Sequence, residues 1–329
     1  MNKYTGHPSQ LCGVEEVTLA KGRGKGMTLL EIRNGKGLRL TLSADRCMDI
    51  SRLSVGEVNM GFFAPCGYAA PAFYDNCGTG FLKSFTAGFL TTCGFANAGS
   101  PCTDEGEELP LHGTVSNLPC ESYSYEETET EIIVRAEVRD ASLFGKKYLL
   151  HRKYICSKTE NKLTIRDSVE NIDTVTLPCM LLYHFNMGYP LLSEKAEVQI
   201  PSHSVKPRNE HAAEDLENCL VMEKPQRGYE ERCYYHDVQA RDGRASVGIF
   251  NPDAECGLVM TFGKDTLDCF TEWKMMGEGE YVLGLEPSNC TPDGRAADRK
   301  CGVLKFIAPG ECYETEIELS FTKEKIKLG

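Results

Sequence analysis

Four stretches of the chain set reactive side chains among apolar ones. LSADRCMDIS (42–51) carries Asp45, Arg46 and Asp49. TDEGEELPLHGTVSNLP (103–119) runs from an acidic segment to His112 and Asn117. LLYHFNMGYPLL (181–192) places His184 and Asn186 inside a run that asks to be buried. FTEWKMMGEGEYVLGLEPSNCTPDG (270–294) carries Glu272, Trp273, Lys274 and Glu286. Three of the four residues before Glu286 are apolar, so its strand is expected to be buried at that end, with Pro287 stopping regular pairing. A carboxylate desolvated in this way rises in pKa towards the range of a useful general base. An imidazole buried without a partner costs about 1–3 kcal/mol, so His184 must be satisfied or used.

Each of these residues also has a structural reading. Glu286 alone suits a rim ion pair with an arginine, His184 a satisfied core histidine, and His112 a loop histidine bonded to a carbonyl. Asp104, Glu105, Glu107 and Glu108 suit a solvated loop, or with His112 a site for a hard divalent metal. Trp273, the only tryptophan, suits the core or a stacking platform for a sugar's C–H face. His236–Asp237 reads as a secondary polar pair.

The elements that must position these residues are short alternating strands. MTLLEIRNGKGLRLTL reads as a hairpin around Asn34–Gly35. TEIIVRAEVRD, KKYLLHRKYICS, KLTIRDSVEN, ASVGIFNP, CGLVMTFG and YETEIELSF follow the same habit, with Gly, Pro, Asn and Asp between them. Only AAEDLENCLVM (212–222) suggests a short helix or turn. Many strands without alternating helices predict an all-β sandwich of antiparallel sheets. No linker divides the chain, which predicts a single domain over 1–329 with a core from about 14 to 322.

Bulk properties narrow the function. Of 329 residues 41% are apolar, and the formal net charge is −12. An acidic chain without a basic patch argues against nucleic-acid and anionic-membrane partners. No signal-like segment or spanning apolar run is present, which with 16 unpatterned cysteines predicts reduced thiols and a cytoplasmic location. There is no CxxC pair and the seven histidines are dispersed, so no zinc site and no cofactor are expected.

In order, the stretches LHGTVSNLP, LLYHFNMGYPLL and GLEPSNCTPDG, with the ending FIAPGECYETEIELSF, resemble the aldose 1-epimerase (galactose mutarotase-like) superfamily. The combination DRCMDI, TTCGFANAG, DEGEELPLHGTVSNLP and EWKMMGEGEYVLGLEPSN resembles its DUF4432 branch. The resemblance implies a β-supersandwich with a sugar cleft on one sheet. It implies Glu286 as general base on the anomeric hydroxyl, His184 as general acid on the ring oxygen, and His112 as a sugar-binding group. Arg46, Asn117 and Lys274 match the branch's polar motifs and are read here as sugar contacts, with Asn186, Glu272 and Trp273. The superfamily's binding aspartate is assigned to Asp268, with Asp237 as the other choice. The chain departs from galactose mutarotases after Asn186, where Met-Gly-Tyr-Pro follows, and lacks their doubled Asn-His/His-Gly pattern. The expected partner is a small sugar and the expected assembly a monomer or homodimer. Two rivals remain: a binding-only sugar sensor on the same scaffold, and an epimerase whose Mn²⁺ or Zn²⁺ is held by the acidic loop and His112.

Overall fold

The computed structural model describes residues 3–328 and is built from antiparallel sheets. The hairpin around Asn34 forms: Thr28–Arg33 pairs with Leu38–Ser43, Arg33 facing Arg39. Its connection is longer than a two-residue turn. Asn34 turns inward, accepting from the Leu38 amide at 3.0 Å and donating to the Ser157 and Glu160 carbonyls, both at 3.0 Å. That hairpin belongs to a five-stranded sheet running from Gly13–Thr18 to Val58–Asn59.

A nine-stranded sheet forms the second layer. Its long meander of Glu131–Ala141, Lys147–Ser157 and Lys162–Asn171 is closed by Cys312–Thr322 from the far end of the sequence. The third sheet has six strands: β1 (Leu90–Phe95), β2 (Met180–Met187), β3 (Ser202–Pro207), β4 (Arg232–Val238), β5 (Cys269–Gly277) and β6 (Glu280–Ser288). Their order across the sheet is β3-β4-β5-β6-β2-β1.

Burial of both faces of this sheet explains the continuous apolar run in β2. Leu181, Tyr183, Phe185 and Met187 join the main core, which draws on all three sheets. Met180 and Leu182 point the other way, into a smaller cluster with Phe81, Phe85, Cys93 and Cys290. His184 and Asn186 share that second face by alternation.

Two local expectations are revised. Pro287 does not end pairing, because β6 continues to Ser288 opposite Cys269. The ladder lapses instead on the β2 side, between Leu182–Ser288 and Phe185–Leu285, where a proline has no N–H to give. Segment 212–222 yields only a four-residue helix, Glu210–Ala213, and a 3₁₀ turn, Leu216–Asn218. A helix at Arg295–Cys301 escaped sequence reading, its seven residues being too short to show a period. Among the described residues no helix is long and apolar enough to cross a membrane.

Candidate active site

The strand register builds one polar row across the six-stranded sheet. The β2–β6 register that pairs Leu182 with Ser288 and Phe185 with Leu285 sets His184 opposite Glu286. On either side, Glu286 faces Thr271, Thr271 faces Tyr235, and His184 faces Thr91. His184 Nε2 lies 3.2 Å from Glu286 Oε1, and both side chains are almost wholly buried. The two groups touch without the alignment of a hydrogen bond. Glu286 Oε1 and His184 Nδ1 have no hydrogen-bond partner among the described residues.

This pair forms the floor of a cleft of about 340 Å³, lined also by His112, Trp273, Arg208 and Glu231. Rings collar His184: Phe85 and His112 each stand 5.4 Å from it and Trp273 5.2 Å, all edge to face. The indole is held by Glu231, which accepts from Trp273 Nε1 at 2.7 Å. Arg208, just beyond β3, donates to Asp293 at 2.9 Å and to Ser100 at 2.8 Å, and Tyr235 donates to the same aspartate at 2.8 Å.

Glycine makes two of these approaches feasible. A Cβ on Gly284 would stand 2.4 Å from Glu286 Oε1 and 2.9 Å from the Trp273 Cβ, so its absence is what lets the carboxylate lie over the sheet. Gly99 has φ +74°, and a Cβ there would meet the Pro292 carbonyl oxygen at 2.1 Å. Its amide donates to His112 Nδ1 at 3.3 Å and its carbonyl accepts from the His112 amide at 2.8 Å. The glycine thus joins the two loops that carry His112 and Asp293.

Electrostatics favour neutral forms of the central pair. Burial, reinforced by the Glu231 charge, pushes Glu286 well above the ordinary carboxylate value, against a smaller downward pull from Arg208. Burial pulls His184 down to about 4, against a smaller upward pull from the neighbouring Asn186 side chain. His112 is also driven well below its usual value, by burial and then by His184 and Arg208.

Of the residues expected from sequence, Glu286, His184, His112 and Trp273 converge on the cleft; the others do not line it. Strand alternation corrects Glu272 and Lys274: with Thr271 and Trp273 facing the cleft, these two point to the opposite side of β5. Asn186 is fully buried and donates to the His184 carbonyl at 2.8 Å. Arg46 is spent on three carbonyls, of Ser116, Ala69 and Ser84, in a separate hollow with Asp49. Asn117 is buried beside Ser116. Asp268 pairs with Lys305 and Asp237 with Lys264, both away from the cleft. The acidic loop is also accounted for. Asp104 is held by Arg295 at 2.6 Å and Arg299 at 2.8 Å, and Glu107 by Arg295 at 2.6 Å, so these carboxylates do not gather at His112.

Sequence reading missed Arg208, Glu231, Thr271 and Gly284. Thr271 and Gly284 were findable, since each is fixed by alternation or pairing relative to Trp273 and Glu286. Arg208 and Glu231 come from loops whose approach no local pattern encodes.

Comparison with known proteins agrees with this architecture. The family model described as a domain of unknown function, DUF4432, matches residues 24–321. No curated protein matches the chain in sequence. A Klebsiella pneumoniae protein described as a candidate aldose 1-epimerase superposes with TM-score 0.87 at 24% identity, over 94% of this chain and 83% of that one. A galactose mutarotase-like protein from Clostridium acetobutylicum gives 0.69 at 12% identity, over 95% and 99%. The galactose 1-epimerase of Lactobacillus acidophilus gives 0.62 at 12%, over 94% and 98%. With its polar row laid across one sheet of an antiparallel supersandwich, this chain belongs to the DUF4432 family and has the galactose mutarotase-like fold.

Proposed function

We propose that the protein interconverts the anomers of a sugar or sugar derivative bound in this cleft, with Glu286 and His184 exchanging protons with the substrate. The observation that carries this reading is the 3.2 Å contact between a carboxylate and an imidazole that lack aligned partners and line one cleft. Buried polar atoms left in this state favour a polar ligand. The cleft volume lies in the range of small-molecule sites.

Ring opening removes a proton from O1 and delivers one to O5. With the pair's one proton passed from Glu286 to His184 across their 3.2 Å contact, Glu286 as carboxylate takes the first and His184 as imidazolium gives the second. The pair then stands as carboxylic acid and neutral imidazole, the forms that burial favours. After rotation about C1–C2, His184 withdraws the proton from O5 and Glu286 returns one to O1, closing the other anomer. Throughout, the pair and substrate share a constant number of protons, so no redox change or covalent intermediate is required. Because the two groups touch, the sugar ring lies over the pair rather than between its members, with Trp273 and His112 beside it. Positioned proton transfer contributes on the order of 10²–10⁴-fold.

Anomer exchange followed by two-dimensional exchange NMR across a panel of aldoses and sugar acids tests this reading. Wild-type protein is expected to accelerate exchange for at least one sugar. Glu286→Gln and His184→Ala should each lower the rate roughly 10²–10⁴-fold with an unchanged circular dichroism spectrum. Equal rates in wild type and both variants would remove the assignment. Binding without acceleration would make the cleft a sensor's.

A further inference from the structure

The opposite side of β4 and β5 holds a second polar cluster that the cleft chemistry does not use. Cys219, His236 and Glu272 are all buried, and each offers a ligand atom within 4.8 Å of the other two. His236 Nε2 lies 2.9 Å from Glu272 Oε2, while its Nδ1 is 3.1 Å from Ser202 Oγ. Glu272 is wholly inaccessible, and its Oε1 has no hydrogen-bond partner among the described residues. Leaving a buried carboxylate oxygen unsatisfied is costly unless something else meets it.

We infer that Cys219, His236 and Glu272 form a binding site for a thiophilic divalent transition metal, Zn²⁺ or Co²⁺, that fastens segment 209–223 to the sheet. One sulfur, one imidazole nitrogen and one carboxylate are donors that zinc accepts together. Ser202 stands where a ligating histidine finds the oxygen that fixes its tautomer. At bond lengths of about 2.0–2.3 Å, tetrahedral ligand atoms stand roughly 3.3–3.6 Å apart, so a small inward movement closes the set. Glu272 Oε1, which no described residue meets, is the carboxylate oxygen open to the ion, and the fourth vertex of the tetrahedron falls to solvent. Nearby Lys274 is already balanced by Glu223 at 3.3 Å and Asp215 at 4.0 Å, and it donates to the Asn218 carbonyl at 3.2 Å. Cys219 closes the Leu216–Asn218 turn and is 7% exposed, more than the other two, so it marks the side from which an ion enters. The residues lie at 219, 236 and 272, spacings that no linear zinc motif contains, which is why the sequence suggested none.

Metal titration of the full chain decides the matter. Purified protein stripped with chelator should take up one Co²⁺ per chain, with a thiolate-to-cobalt charge-transfer band, and Zn²⁺ should displace it and raise the melting temperature. Cys219→Ser should lose the band. Glu272→Gln, which keeps an acceptor for His236, should lose the melting-temperature rise. A wild-type protein with no cobalt band and a melting temperature indifferent to Zn²⁺ overturns the proposal whether or not the variants fold. A band that survives in folded Cys219→Ser also overturns it, since the chain has other free thiols, exposed Cys77, Cys301 and Cys312 among them.

Discussion

At Glu286, burial sets a stability cost beside the proton-transfer role proposed for it. Its pKa in the folded protein is raised above the ordinary 4.5, so its contribution to stability is whole below that value and is lost as pH rises towards the folded value. Glu286→Gln removes the charge at similar shape. The melting temperature of Glu286→Gln should therefore match wild type near pH 4 and exceed it by a margin that grows with pH. A margin that is flat, or that shrinks, between pH 5 and 9 would refute a raised carboxyl. His184 acts in the opposite sense: held near 4, it costs stability as pH falls from its ordinary 6.5 towards 4. On the proposed chemistry, the two opposite shifts set the expected pH dependence of anomer exchange. Below about 4 both groups are protonated and no base remains; above the Glu286 value both are deprotonated and no acid remains. The rate of anomer exchange against pH should be bell-shaped with its acid limb near 4, read by the NMR assay across buffers. An acid limb near 6.5 would mean His184 is not depressed.

At the scale of elements, the site depends on one rule, the twofold alternation of strands, and on one glycine. Gly284→Ala puts a methyl 2.4 Å from Glu286 Oε1, so the carboxylate must swing or the strand must bulge. Displacing a catalytic group by about 1 Å costs roughly 10²-fold in rate, while overpacking costs about 1–3 kcal/mol. Gly284→Ala should thus lose far more activity than its modest fall in urea midpoint would suggest; full activity would show that Glu286 works elsewhere. The same rule decides how much of the site was legible. The β2 run reveals a strand buried on both faces, and His184 and Glu286 stand out by chemistry and resemblance. EWK offers three candidate contact residues in succession, yet a strand can present only alternate ones to one face, so Glu272 and Lys274 fall on the far side from Trp273. Sequence supplies the alternation but not which phase faces the cleft. That phase is set by the register with β6, where Thr271 meets Glu286.

The whole molecule is tied together by a buried guanidinium, and this too changes the meaning of a sequence motif. Asp49, in the DRCMDI stretch, reads as chemistry beside Arg46. In the structure it accepts from Arg152 at 2.7 Å and from the Thr92 amide at 2.8 Å. Arg152 also binds both oxygens of Asp167, at 2.9 and 2.6 Å, and Thr92 Oγ1 at 2.7 Å, while Tyr183 donates to Asp167 at 2.7 Å. Asp49 belongs to the five-stranded sheet, Arg152 and Asp167 to the nine-stranded sheet, and Thr92 and Tyr183 to β1 and β2 of the cleft sheet. One side chain with no exposure thus bonds all three layers; Tyr183 directly precedes His184, and Thr92 follows the Thr91 that faces it. Arg152→Met leaves two buried carboxylates without their counter-charge and should cost on the order of 3–5 kcal/mol in urea unfolding. Adding Asp49→Asn and Asp167→Asn removes the stranded charges and should restore part of that loss, because the cost lies in unpaired charge rather than in a missing contact. A triple variant no more stable than Arg152→Met would instead place the cost in lost geometry between the layers.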